Sequence, residues 1–258
     1  MANGRLDTKN WIPNLGSVGV LKIDGPEVAN FEDQVKLFQA GEKDEVEFLR
    51  FRLRQGVYGQ RQPDSQMIRV KIPFGGLTAD QMDILGEAAA KYAPLKKGHI
   101  TTRENVQYHH VPLGETTDLL RMLGDAGLST REACGNTVRN VVAAPSAGVS
   151  KDEAFDVTPY AAAYARYFLR HPTTQNMPRK SKTAFSGSEK DEAMVLMHDV
   201  GMVARVQNGR RGFKIVLGGG LSTSPMMAQT LREFVPVEDF IKHCEAALRV
   251  FNRQDEER

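Results

Sequence analysis

The sequence predicts an α+β fold, a sheet covered by helices, on three observations. Segments such as MIRVKIP alternate apolar and charged residues with the period of a strand. Segments such as ADQMDILGEAAAKY space their apolar residues by three and four, the period of a helix. The two kinds interleave along the chain. A chain of 258 residues is long enough for one large domain or two smaller ones, with a core that needs no disulfide or metal staples.

Taken in order, residues 1–45 show no sustained period and hold Trp11, Pro13, Gly16, Gly19, Gly25 and Pro26, which reads as an irregular N-terminal arm. In VEFLRFRLR, Phe48, Arg50, Arg52 and Arg54 alternate with Leu49, Phe51 and Leu53, predicting a strand. MIRVKIP predicts another, with Ile68, Val70 and Ile72 on one side and Arg69 and Lys71 on the other. Thr78-Ala-Asp-Gln81 is a capping box opening a helix to Tyr92, with Ile84, Leu85, Ala88 and Tyr92 on one face. HITTRENVQYHHV reads as extended, and a helix over Thr117–Ala126 stops at Gly127. The pattern then restarts. Val138–Ala144 reads as a strand, and Thr158-Pro159 opens a helix to His171. A strand follows over Lys180–Phe185, and Asn208-Gly209 joins Met202–Val206 to Gly212–Leu217 as a hairpin. A last helix runs over Val237–Asn252 with Phe240, Cys244, Leu248 and Phe251 as its apolar stripe, which makes Cys244 a small core residue.

Composition narrows the function. Lys plus Arg is 34 against 32 for Asp plus Glu, a net charge of +2, which disfavours a dedicated nucleic-acid binder. No apolar run approaches the ~18–20 residues of a membrane span, and the first residues carry no signal-peptide core, so a cytoplasmic protein is expected. The two cysteines, Cys134 and Cys244, form no CxxC pair, and no histidine has a metal-ligand partner at suitable spacing.

Three places carry chemistry. Thr101, Arg103, Asn105, Gln107 and His109 fall on one face if Thr101–His109 is a strand, a row of donors suited to an anionic, oxygen-rich ligand. The segment NMPRKSK packs Arg179, Lys180 and Lys182 together with no acid within six residues on either side. Such a cluster costs stability unless water or an anion screens it. Arg69 and Arg139 are further cations on strand-like segments. The run LGGGLS matches neither a dinucleotide fingerprint nor a phosphate loop, and marks a sharp turn or a close backbone approach.

At these motifs the chain resembles the sulfite and nitrite reductase family, enzymes that use sirohaem coupled to a [4Fe-4S] cluster. The matching stretches are MIRVKIPFGG, HITTRENVQYH, VRNVVAAP, MPRKSKT and GFKIVLGGGLS, in the family's order and spacing. The resemblance implies an N-terminal arm over 1–45, a ferredoxin-like half-domain over 46–128, and a mixed α+β sirohaem-binding domain over 129–258. It assigns Arg69, Arg139, Lys180 and Lys182 to the substrate oxyanion. It assigns Thr101, Arg103 and Gln107 to the sirohaem carboxylates, with Arg179 and Gly218, Gly219 and Gly220 bordering the same cofactor. The implied reaction is the six-electron reduction of sulfite to sulfide, or of nitrite to ammonia, with ferredoxin or a flavoprotein as donor.

Lys182, the second lysine of PRKSK, leans the reading toward sulfite, since nitrite-type members tend to have Asn there. His99 departs from relatives that place Arg at that position. Family members are about twice this length, and their four cluster cysteines lie in a second half that Cys134 and Cys244 do not match. The chain therefore reads as an N-terminal half that is incomplete alone, to be joined by a C-terminal half. Alternatives are a precorrin-3B synthase-type relative, which the PRKSK cluster disfavours, and a non-catalytic tetrapyrrole- or anion-binding module. An RNA-binding sheet lacks stacking aromatics on the Arg50/Arg52/Arg54 stripe.

Overall fold

The computed structural model describes Leu21 and residues 23–253. Trp11, Pro13, Gly16 and Gly19 lie outside the described residues. The described chain forms two compact units, one of residues 21–140 with Leu169–Lys180, the other of Val141–Phe168 with residues 181–253. Among the described residues no helix is long and apolar enough to cross a membrane.

The first unit opens with a helix where an irregular arm was expected. Asp24 caps α1 (Gly25–Gln39) by accepting from the Glu27 N–H, with Pro26 in the first turn. Val28, Phe31 and Val35 recur at helical spacing and are buried. The VEFLRFRLR segment, expected as a strand, is α2 (Glu45–Arg54). Asp44 accepts from the N–H groups of Val46 and Glu47, acids fill the first turn and arginines the last, all of which favour a helix. Phe48 is fully buried and stacks on Phe38 with centroids 4.2 Å apart. Phe51, one turn on, stacks on Phe31. The arginine alternation arose by chance from a helix whose exposed side is mostly charged.

A four-stranded antiparallel sheet follows, in the order β1-β2-β4-β3: β1 (Val57–Gly59), β2 (Ser65–Val70), β3 (His99–Ile100) and β4 (Val106–Pro112). The Thr78 capping box opens α3 (Ala79–Tyr92) as predicted, and α4 (Thr116–Asp125) ends before Gly127, whose φ of +75° is a glycine conformation. Ile68, Val70, Ile72, Leu85, Ala88, Tyr92, Tyr108, Leu119 and Leu123 form the core with the buried residues of α1 and α2. This is the ferredoxin-like half-domain arrangement, helices packed against an antiparallel sheet.

The predicted Thr101–His109 strand is divided. Thr101–Asn105 is the turn between β3 and β4, closed by Thr101 N–H to Asn105 O and Glu104 N–H to Thr101 O. Threonine and asparagine there bond each other and the local backbone, which competes with a ladder. Only Gln107 and His109 of that row are in β4. Between Tyr108 and Val111 the register shifts, and His110 adopts φ +64°, the signature of a bulge.

The second unit holds a five-stranded sheet in the order β5-β6-β7-β8-β9: β5 (Val142–Ala143), β6 (Thr183–Ser186), β7 (Val200–Gln207), β8 (Arg210–Leu217) and β9 (Gln229–Pro236). The first three strands run parallel, and β7, β8 and β9 are antiparallel. Asn208 and Gly209, both at positive φ, make the predicted hairpin turn. α5 (Thr158–Phe168) and α6 (Phe240–Arg253) pack a ring cluster in which Phe213 lies 5.1–5.7 Å from Phe155, Tyr160, Phe185 and Phe240. Cys244 is fully buried, while Phe251 of the predicted stripe stays exposed. The strands predicted over Val138–Ala144 and Lys180–Phe185 shorten to β5 and β6, and β9 has no counterpart among the predicted elements. Its mostly exposed residues give it no apolar alternation to read.

The two readings of residues 46–54 place Phe48 oppositely, on a charged strand face or in the core. Phe48→Ala is expected to lower unfolding free energy by about 3–5 kcal/mol in a denaturant titration. A loss below about 1 kcal/mol would contradict the helix.

Candidate functional site

Seven of the eleven residues assigned from the resemblance fall in the first unit: Arg69, Thr101, Arg103, Gln107, Arg139, Arg179 and Lys180. Strand pairing brings Arg69 and Gln107 together, because Arg69 on β2 lies directly opposite Gln107 on β4. With its amide oxygen facing the guanidinium, Gln107 accepts from Arg69 Nη2 at 2.9 Å and Nε at 3.0 Å. Both project from the face opposite Ile68 and Val70, which are in the core.

Arg139 arrives on the loop of residues 129–140. The loop folds back so that its carbonyls hold the arginines: Ala133 O accepts from Arg139 Nε at 2.8 Å and from Arg69 Nη1 at 3.3 Å, and Gly135 O accepts from Arg139 Nη1 at 3.1 Å. Among the described residues neither Arg69 nor Arg139 has a carboxylate within ion-pair distance. Arg131, Arg170 and Arg205, by contrast, each have at least one. Neutral carbonyls orient a guanidinium without cancelling its charge. Burial lowers the Arg139 pKa, Cys134 raises it, and Arg69 and Arg179 lower it further.

The PRK segment is tied to the same loop. Met177 N–H donates to Asn136 O at 2.9 Å, and Asn136 Nδ2 donates to Pro178 O at 3.3 Å. Arg179 is exposed and Lys180 half-buried. Cys134 lies among these cations, with Arg69 Nη1 3.6 Å from its sulfur. Burial pushes its thiol pKa up, while Arg69, Arg139 and Lys180 pull it down.

The Thr101–Arg103 motif is held by a residue that the sequence reading did not single out. Asn140 Nδ2 donates to Ile72 O, Arg103 O and Glu104 O, and Asn140 O accepts from Arg103 Nη2 at 2.6 Å. Thr101 accepts from the Arg103 N–H. The Thr101–Arg103 turn and Arg139 are thus joined through one asparagine. Its only sequence signal was its place after Arg139. Lys71 and Glu132, both fully buried, were also missed, since Lys71 occupies an outward position of the MIRVKIP alternation.

The other four assigned residues, Lys182 and Gly218–Gly220, belong to the second unit. The Lys182 N–H donates to Asp199 Oδ2, which fixes the start of β6. Gly218 has φ +85°. A Cβ at Gly219 would lie 2.4 Å from Leu196 O and 2.6 Å from His198 O, so local backbone packing already requires that glycine. His99 and His109 meet edge to face at 6.0 Å. Among the described residues no group of three or more His, Cys, Asp or Glu is arranged to hold a metal ion. The chain's own residues do not fit a four-thiolate cluster: it has two cysteines, and Cys244 is buried in the core beside Met202.

Comparison with known proteins identifies the family. Residues 58–126 match the nitrite/sulfite reductase ferredoxin-like half domain, and residues 134–258 match the nitrite and sulphite reductase 4Fe-4S domain. A sulfite reductase (ferredoxin) 1 of Mycolicibacterium paratuberculosis is 35% identical over 187 residues, 72% of this chain and 33% of that protein. A ferredoxin–nitrite reductase of Leptolyngbya laminosa is 30% identical over 190 residues, 72% of this chain and 37% of that protein. The chain thus spans well under half the length of these curated relatives. The NirA protein of Mycobacterium tuberculosis superposes with a TM-score of 0.75 at 28% identity, covering 88% of this chain and 46% of that one. The dissimilatory sulfite reductase DsrI shares the fold at a TM-score of 0.59 and 11% identity. The chain belongs to the nitrite and sulfite reductase family.

Proposed function

We propose that this chain is the substrate-side half of a sirohaem-dependent sulfite reductase of the ferredoxin type, completed by a C-terminal half that supplies the cluster ligands. The carrying observation is the pair Arg69 and Arg139, two half-buried guanidiniums held by neutral acceptors with no carboxylate within ion-pair distance among the described residues. Removing cations from water without a countercharge is costly, and a bound anion relieves that cost. Sirohaem fits this donor set, because its eight carboxylates require several positive or neutral donors around one macrocycle.

In this reading Thr101, Arg103 and Gln107 hold sirohaem carboxylates, and Arg179 borders them. Arg69, Arg139 and Lys180 hold the substrate oxyanion and stabilise charge that develops on its oxygens. The Lys180 ammonium, with three donors on a flexible stem, can also deliver protons to a departing oxygen. The roles of Lys182 and Gly218–Gly220 rest on the family resemblance alone. When bound, sirohaem and its cluster would relay to the substrate, one at a time, the six electrons that an external donor delivers to convert sulfite to sulfide. Ferredoxin as the donor follows the names of the relatives. A cytoplasmic setting follows from the sequence reading. Nitrite reduction is the second reading, favoured by the 30% identity to a ferredoxin–nitrite reductase. A non-catalytic module that binds the tetrapyrrole remains the outcome if no electron-accepting partner half exists.

Sirohaem added to the chain should shift its absorption bands, and Arg103→Ala should weaken that binding about tenfold, the worth of one or two charge-assisted hydrogen bonds. An unshifted spectrum would contradict the cradle. Sulfite binding, followed by calorimetry, should weaken about 10- to 100-fold in Arg69→Ala and in Arg139→Ala, and should decline with added salt. In the enzyme assembled with its second half, Lys182→Asn should reduce sulfite turnover more than nitrite turnover. Equal losses would remove the sulfite preference from the proposal.

A further inference from the structure

Lys71 and Glu132 are both fully buried and face each other, with Nζ 3.8 Å from Oε2. The ammonium donates to Val138 O at 3.0 Å, and the Lys71 N–H donates to Ser129 O at 2.7 Å. The other carboxylate oxygen of Glu132 accepts from the Arg170 N–H at 2.7 Å and from Gln175 Nε2 at 2.8 Å. Three segments therefore meet at one ion pair, and each carries a cation of the proposed anion site. Lys71 stands two residues past Arg69. Val138 immediately precedes Arg139. Arg170 and Gln175 belong to the Leu169–Lys180 segment, which ends in Arg179 and Lys180. Glu27 of α1 braces the same junction, in an ion pair with Arg131 (Nε to Oε1 3.0 Å) and accepting from Arg170 Nε at 2.9 Å.

We infer that Lys71 and Glu132 are a positioning pair for the anion site, setting where Arg139 and the PRK segment stand without touching the anion. The inference rests on the anion-binding reading proposed above. Stability alone gives little reason for the pair. Buried ion pairs are often no better than apolar replacements, and among the described residues no group donates a hydrogen bond to Glu132 Oε2. What apolar side chains would not supply is a charged donor to Val138 O and an acceptor for two donors of a second segment.

The pair also couples the site to pH. Burial lowers the Lys71 pKa to about 8. Glu132 opposes this shift, and Arg139, Arg131 and Arg170 add to it. Those four are the charged groups facing it from the loop and from the Leu169–Lys180 segment. Because the folded pKa lies below the ordinary 10.5, the unfolded chain holds the extra proton between about pH 8 and 10.5. Stability relative to Lys71→Met should therefore rise with pH across that window. Anion affinity should fall as pH passes through about 8, because the charged donor to Val138 is lost.

The test uses the full chain, with Lys71→Met, Glu132→Gln and the double variant, and sulfate as an anion of constant charge. Glu132→Gln leaves the buried Lys71 charge uncompensated, and Lys71→Met leaves Glu132 only the Arg131 guanidinium, Nε 3.6 Å from Oε1, so each should lower the thermal midpoint. The double variant should regain most of it. Its sulfate affinity should nevertheless stay about tenfold weaker than wild type, since a displacement near 1 Å is enough for such a loss. The step in affinity near pH 8 should also vanish. In parallel, the NMR resonance of the Arg139 Nε–H, assigned by its disappearance in Arg139→Lys, should move in the double variant without any anion present. An unchanged resonance, or wild-type sulfate affinity in the double variant, would make the pair purely structural and overturn the inference. A wild-type chain that does not bind sulfate would instead remove the anion-site reading, and the resonance would still decide the positioning.

Discussion

Several cations must stand close together in the first unit without being neutralised. Two unit charges 4 Å apart interact by about 4 kcal/mol at an effective dielectric of 20, and in a like-charged pair that energy opposes folding. Carboxylates facing the arginines would remove the repulsion and the proposed anion site together. The chain instead places carbonyl oxygens of Ala133 and Gly135 and the Gln107 amide on Arg69 and Arg139. The negative charge is set further back, at Glu132 and Glu27, where it pairs with Lys71, Arg131 and Arg170.

Backbone strain gathers around the same residues. Glu132 has φ +60°, Glu104 φ +54°, Phe74 φ +48° and His110 φ +64°. Each such conformation costs of order 1 kcal/mol for a residue with a side chain, and persists where neighbours over-determine it. Glu132 is held by its N–H to Arg54 O, and Glu104 by its N–H to Thr101 O. His110 is held by its N–H to Gln60 Oε1 and by its Nδ1 against Ser65 Oγ. The Glu132 and His110 contacts come from α2, the β1–β2 connection and β2, so the half-domain also holds the start of the Arg139 loop, whereas the Thr101–Asn105 turn is closed by its own backbone. The second unit is built differently, on a ring cluster under a sheet, and its Gly219 serves the packing of Leu196 and His198.

Much of this was legible in order along the chain. The Thr78 capping box, the Gly127 stop and the Asn208-Gly209 turn depend on neighbours within four residues and formed as read, whereas Thr158, expected as the N-cap, is the first residue of α5 and donates its N–H to Asp156 Oδ1. The arginine stripe of residues 46–54 resembles a strand because period two and period 3.6 coincide over a short charged segment, and the local signal for a helix is the cap at Asp44. The Thr101–His109 row misled because threonine and asparagine in a turn look like polar residues on a strand face. Lys71 looked solvated because alternation reports which side of a strand a residue takes, not what covers that side.

The family, the identity of the cations and the α+β class follow from local motifs and their order along the chain. Which cations stand near one another follows from the fold, since Arg69, Arg139 and Lys180 are carried by a paired strand, a folded-back loop and a second chain segment. The fold alone also shows that Lys71 and Glu132 are buried against each other. Their contact joins positions 61 residues apart through backbone carbonyls, and a carbonyl carries no mark in the sequence.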